Sequence, residues 1–280
     1  MSYARDVGTT SRSSFLAGLA AAAFAAEGTR AFAAEPERHI ALAGAPNFRD
    51  LGGYATTAGR RVRPRLVFRS GELSRLTEAD YARLAPLDLR VVCDFRTAAE
   101  RRRDPTRWRG SPVPRFELLS IGEGTNRLPT SESEAHAFIE RFYRDVPLRY
   151  ADRYAAVFDT LVAGGSPLVM HCSAGKDRTG IASALLLTAL GVSHSTVVAD
   201  YALTNRYLGS AATHARLARS AALHGISPSA LSVLFAAAPA YIETSFTSIR
   251  AEYGDFETYR RRALRVNDAA LARLRARLLT

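Results

Sequence analysis

A cysteine followed six positions later by an arginine can attack and hold a phosphoester, and this chain carries that pair at Cys172 and Arg178. The pair alone is weak evidence, because the 38 basic residues are arginines apart from a single lysine, Lys176, and that spacing arises easily by chance. The surrounding run is more specific. His171-Cys172-Ser173-Ala174-Gly175-Lys176-Asp177-Arg178-Thr179-Gly180 lies between a short apolar stretch, residues 167–171, and an almost uniformly apolar one, residues 180–190. A strand-loop-helix turn of this length aims the backbone N–H groups of Ser173, Ala174, Gly175, Lys176, Asp177 and Arg178 inward. It also adds the positive end of a helix, which suits a phosphate dianion. The same field favours the thiolate of Cys172, with Thr179 Oγ1 placed to donate a hydrogen bond to it. Arg178 supplies a planar fork that can hold two phosphate oxygens, a role lysine fills poorly. Gly175 permits a left-handed or crowded backbone position.

Lys176 stands inside this loop and reads as a second positive charge for a substrate with more than one anionic group; the plain alternative is that it points to solvent. His171 contributes to the surroundings of the sulfur or packs as a strand-end residue. Cys93 reads as a small buried residue on a core strand, and a sharper reading pairs it reversibly with Cys172 under oxidation. Two cysteines are too few for a disulfide scaffold and lack the paired spacing of a zinc site. No cofactor is expected.

The elements that must position this loop are legible as strands at residues 66–69, 89–95 and 167–171. Helices follow at 77–84, from Thr97, at 134–144, 154–162, 180–190, 201–224, 227–252 and 267–279, with breaks at Gly225, Pro228, Pro239 and Gly254. Residues 104–135, rich in Pro, Gly, Ser and Thr, read as a long surface connection. This alternation predicts an α/β fold, a central, mainly parallel sheet with helices on both faces and the site at the carboxyl ends of the strands. Asp94 and Cys172 both fall at such ends.

The 280 residues carry a net charge of +11. The arginines are scattered rather than striped with aromatics, which argues against a nucleic-acid partner. Local clusters at Arg60, Arg61, Arg63 and Arg65, at Arg101 to Arg103 with Arg107 and Arg109, and at Arg260 to Arg262 read as solvated faces, or as surfaces that attract phosphorylated substrates or contact an anionic membrane peripherally. Residues 1–33 read as an export signal: Arg5 and Arg12 in a polar stretch, an apolar run over 15–26, and Ala31-Phe32-Ala33 at the cleavage spacing. That predicts a periplasmic or secreted protein whose domain spans residues 41–280. Oligomeric state is not legible.

The loop resembles the signature of cysteine-based tyrosine and dual-specificity phosphatases, and its Lys-Asp-Arg form resembles bacterial secreted phosphatases acting on phosphotyrosine proteins and phosphoinositides. Residues 47–54, Phe68-Arg69-Ser70-Gly71, Asp94-Phe95-Arg96 with Glu100, and Tyr253-Gly254-Asp255-Phe256 match other recurring segments of that family. The resemblance implies a cysteine-phosphatase-like fold and attack of Cys172 on phosphorus. A phosphocysteine would then be hydrolysed by water without a metal. Phosphotyrosine proteins are the implied substrates, with phosphoserine, phosphothreonine or phosphoinositides as others. It also implies that Asp177 is the general acid, with Asp94 the competitor, or else a brace paired with Arg96 or Arg49. A rhodanese-like sulfurtransferase and a noncatalytic phosphate-binding module are the alternatives.

Overall fold

The computed structural model describes residues 38–122, 129–208 and 225–280, which belong to one unit, Arg38–Thr280. The expected export segment, and the expected helix over 201–224 beyond residue 208, lie outside the described residues. A two-residue strand β1 (Arg49–Asp50) pairs antiparallel with β2 (Val67–Ser70). The strands β3 (Val91–Asp94), β4 (Arg115–Leu118) and β5 (Leu168–His171) complete a sheet of order β1-β2-β5-β3-β4, parallel from β2 onward. The mainly parallel sheet expected from the sequence is therefore present. Strand β4 lies inside the stretch read as a surface connection. It is a half-exposed edge strand of four residues, flanked by Ser, Pro and Gly, so its hydrogen bonds to β3 define it rather than any apolar pattern.

Successive strand residues point to opposite faces. Val67, Val91, Cys93, Leu168 and Met170 enter the larger core, and Phe68, Val92 and Val169 enter a smaller one. The smaller face is covered by α1 (Glu78–Leu84) and by residues 40–48 of the lead segment. Thr77 and Asp80 close a capping box that starts α1, and Thr97 with Glu100 does the same for α2 (Ala98–Arg103). The larger face carries α3 (Glu132–Arg149), α4 (Ala151–Val162), α5 (Asp177–Leu190) and α6 (His194–Ala202), followed by α7 (Thr204–Tyr207), α8 (Pro228–Phe235), α9 (Pro239–Tyr253), α10 (Phe256–Arg262) and α11 (Asp268–Leu278). Helix α5 is apolar and buried on nearly every side, as its composition requires. Pro239, without an N–H, starts α9 and separates it from α8.

Ser70 and Asp94 both stand in register with His171, so β2, β5 and β3 end on one edge. Cys172, the next residue, emerges there, where open parallel sheets form their sites.

Candidate active site

The loop after β5 is shaped by what holds its carbonyls. Ser173 O accepts from Glu72 N at 3.0 Å, Ala174 O from Asn47 Nδ2 at 3.3 Å, and Gly175 O from Asn47 Nδ2 at 3.0 Å and Arg69 Nη2 at 2.8 Å. In a trans peptide the N–H points opposite to the C=O. Pinning these three carbonyls outward therefore turns the amides of Ala174, Gly175 and Lys176 to the interior of the loop. Gly175 makes the close turn, with φ at +68° and a position where a Cβ would lie 2.4 Å from Ser70 O.

One buried carboxylate holds this apparatus from behind. Asp200 on α6 receives Arg49 Nε at 3.2 Å, Arg69 Nη1 at 2.6 Å and the Tyr54 hydroxyl at 3.0 Å. Arg69 passes the restraint directly to Gly175, and Arg49 passes it through the Asn47 side-chain oxygen. Burial would raise the Asp200 carboxyl, but the two guanidinium groups hold it well below the usual carboxylate range. Burial and the neighbouring Arg69 lower Arg49 to about 10. Asn47, Arg49, Arg69 and Asp200 are all buried, and their bonds run to the loop carbonyls and to one another, so they act by fixing the loop.

Cys172 is a buried free thiol at the start of this loop. Arg178, on the first turn of α5, sends Nη1 and Nη2 to the two oxygens of Glu100 at 2.7 and 2.8 Å. Its Nη1 also reaches Phe95 O and Ile121 O, at 3.3 and 3.4 Å. Among the described residues Nε has no hydrogen-bond partner, so that edge of the fork is left available to a ligand. Burial would lower Arg178, but the Glu100 bonds and the neighbouring charges of Cys172 and Glu100 raise it, so the guanidinium is permanently cationic. Glu100 is a hub: it caps α2 through Thr97 N at 2.8 Å, receives Ser173 Oγ at 2.5 Å and carries Arg178. Burial would raise its carboxyl, and the Arg178 and Ser173 bonds hold it well below the ordinary range.

The sequence model of the tyrosine phosphatase family matches residues 40–280. The chain belongs to the tyrosine phosphatase family. Among its relatives, a Cupriavidus necator protein classed with the tyrosine-protein phosphatases is 35% identical over 231 residues, covering 80% of this chain and 84% of that one. The triple specificity protein phosphatase PtpB of Mycobacterium tuberculosis is 36% identical over 192 residues, covering 59% of this chain and 68% of that one. A tyrosine-protein phosphatase of Nostoc commune is 31% identical over 148 residues, covering 50% of this chain and 48% of that one. Membership sets aside the sulfurtransferase alternative.

Within this phosphatase, several side chains are not where the sequence placed them. Lys176 is buried rather than offered to a substrate or to solvent: Nζ donates to Leu234 O and to Ala236 O at 2.9 Å, at the carboxyl end of α8, and lies 3.3 Å from Asp177 Oδ1. The unpaired carbonyls that end a helix attract an ammonium, which explains its choice of partner. Thr179 Oγ1 is buried without a hydrogen-bond partner among the described residues, so the expected bond to the Cys172 sulfur is not made. Cys93 is buried, and its thiol donates to Glu117 Oε2 at 3.7 Å; burial and the nearby Glu117 push the thiol up. It stands across from Met170, two residues short of Cys172. Both cysteines are free.

Asp94 is buried and forked by Arg96, with Nε to Oδ1 at 3.1 Å and Nη2 to Oδ2 at 2.9 Å, while His171 Nε2 lies 3.6 Å away. Burial would raise its carboxyl, and His171 with Arg96 keeps it low. Asp177, by contrast, begins α5 with a side chain 26% exposed, against 2% for Asp94.

Burial lowers His171 from 6.5 to about 4, with Asp94 opposing and Arg96 adding. The imidazole is thus neutral at neutral pH, with Nδ1 3.3 Å from the Cys172 carbonyl oxygen. The unfolded chain takes up this proton near pH 6.5 and the folded chain only near 4, so stability present above 6.5 is lost as pH falls through that window. A shift of this size corresponds to about 3 kcal/mol. Asp94, Glu100 and Asp200, whose carboxyls are held low, add their own losses as pH falls through the carboxylate range. Thermal melts from pH 7 to 4.5 should therefore show a steeper decline for the wild type than for His171→Asn, and parallel declines would contradict the assignment.

Proposed function

We propose that this phosphatase hydrolyses phosphotyrosine in proteins through a phosphocysteine at Cys172, and that phosphoserine, phosphothreonine and phosphoinositide esters enter the same cup. The outward pinning of the loop carbonyls carries this reading, because it leaves three amides facing inward beside a cationic Arg178, a site built for a tetrahedral dianion. The relative named as a triple specificity phosphatase supports the wider range of esters.

In the first step the Cys172 sulfur attacks phosphorus as the P–O bond to the leaving group breaks, and a carboxylic acid gives its proton to the departing oxygen. In the second, water attacks phosphorus, the S–P bond breaks and the carboxylate takes the water's proton. Inward amides and the free edge of Arg178 stabilise the equatorial oxygens in both steps, needing no metal or cofactor. Asp177 is the acid in this reading: it stands at the loop and is partly exposed, whereas both Asp94 oxygens are bound by Arg96 inside the protein. Asp94 braces the end of β3.

Asp177→Asn should lower kcat by about 10²-fold on esters with poor leaving groups and much less on activated aryl phosphates. Asp94→Asn should cost stability and affect all leaving groups alike. Assays across a leaving-group series read the difference; selective loss in Asp94→Asn alone would reverse the assignment.

Residues 1–33 have the polar, apolar and small-residue order of an export signal, which supports a periplasmic or secreted location. Amino-terminal sequencing of the protein recovered from outside the cytoplasm should begin near Ala34. Recovery of intact chain only from the cytoplasm would contradict this. The basic surface supports peripheral contact with anionic membrane as a way to phosphoinositides.

A further inference from the structure

The carboxylate of Asp177 is bound unequally. Its Oδ1 accepts the Tyr143 hydroxyl at 2.7 Å and is the oxygen nearest Lys176 Nζ, at 3.3 Å, while no hydrogen bond among the described residues reaches Oδ2. Tyr143 comes from α3, is fully buried, and has its hydroxyl 2.6 Å from that of Tyr201 on α6. Their rings meet edge to face at 5.9 Å, and the Tyr241 ring of α9 lies 5.7 Å from that of Tyr143. A phenol has one proton to donate. Tyr143 spends it on Asp177, so the Tyr201 hydroxyl must donate to Tyr143, and the relay has a fixed direction. Burial raises both phenols, so both remain donors across the working pH range.

The consequence concerns where a proton can sit. An oxygen that already receives an O–H and faces an ammonium cannot itself carry a hydrogen without opposing both donors. We propose that Tyr143, braced by Tyr201, is a positioning residue of this phosphatase: it commits Oδ1 of Asp177, so that Oδ2 carries the proton and delivers it to the leaving oxygen. This rests on the reading of Asp177 as the acid. As the sulfur–phosphorus bond forms and the ester bond breaks, the proton passes from Oδ2 to the leaving group, and the carboxylate left behind is stabilised through Oδ1 by Tyr143 and Lys176. When water later displaces the sulfur, its proton returns to Oδ2. The tyrosine also selects the rotamer of Asp177, since a carboxylate without this donor can turn either oxygen to the cleft.

Tyr143→Phe keeps the ring and its packing and removes the donor; Tyr201→Phe removes only the brace. Wild type, both variants, Asp177→Asn and the double variant Tyr143→Phe with Asp177→Asn are assayed on an aryl phosphate series from activated to poor leaving groups, with thermal melts of each. Tyr143→Phe should lose roughly tenfold in kcat on the poorest leaving groups, with KM little changed and a steadily smaller loss as the leaving group improves. Tyr201→Phe should show the same trend more weakly, and the double variant should be no slower than Asp177→Asn alone. A loss in Tyr143→Phe that is uniform across the series, or additive with Asp177→Asn, would overturn the proposal, as would no loss at all. If Asp177→Asn itself shows no leaving-group dependence, the acid assignment fails first, which is a separate and recognisable result.

Discussion

Cys172→Ser is expected to lower kcat/KM for every phosphate monoester by more than about 10⁴-fold while leaving the protein folded and able to bind phosphate. Serine keeps the shape of the side chain with a smaller atom and adds no bulk at this buried position, so the cup of amides and Arg178 survives the change. Chemistry is what is lost. A cysteine sulfur is intrinsically very nucleophilic, whereas a serine hydroxyl is a weak nucleophile. The loss should fall on kcat, since the groups that hold the phosphate remain. Tight, turnover-free binding of a phosphotyrosyl peptide by the variant, measured by calorimetry, checks this. Retained turnover would contradict it.

The second large effect belongs to Arg178 and the residue that aims it. Arg178→Lys should cost roughly 10³-fold in kcat, because one ammonium cannot satisfy Glu100 and two phosphate oxygens together, and cannot follow the equatorial oxygens through the transition state. Glu100→Gln should show a mixed phenotype. It leaves a largely buried guanidinium without its counter-charge, which costs about 3 kcal/mol of stability, and it frees the fork to rotate away from the cup. Both kcat and the melting temperature should fall for Glu100→Gln, with kcat alone falling markedly for Arg178→Lys. A Glu100→Gln enzyme of normal stability and rate would show that the ion pair is ornamental.

Much of this was legible in the chain because the chemistry is local. The loop from His171 to Gly180, its apolar strand and its buried helix are contiguous, so their roles follow from order and residue type. The capping boxes at Thr77 and Thr97 are local too. What escaped depends on contacts between distant segments. The segments bearing Asn47, Arg49, Arg69 and Glu100 were visible as family resemblance, yet their tasks appear only when the fold brings Asp200 between two arginines and Glu100 beneath Arg178. Asp200 carried a faint signal, a lone carboxylate in the otherwise apolar Val197-Val198-Ala199-Asp200-Tyr201. Lys176 misled for the same reason: a solitary lysine in a phosphate loop reads as a substrate contact, and the carbonyls of Leu234 and Ala236 that claim it are nearly sixty residues away. Strand β4 has no apolar run of its own and exists because β3 offers it an edge.

The most direct test of the whole account is a rapid-quench experiment on purified, reduced protein with an activated aryl phosphate, followed by intact and peptide mass analysis under acid. The account predicts a transient adduct of one phosphoryl group that maps to Cys172, appears with the leaving-group burst and decays as inorganic phosphate is released. Turnover with no adduct at Cys172, or an adduct on another side chain, would contradict it.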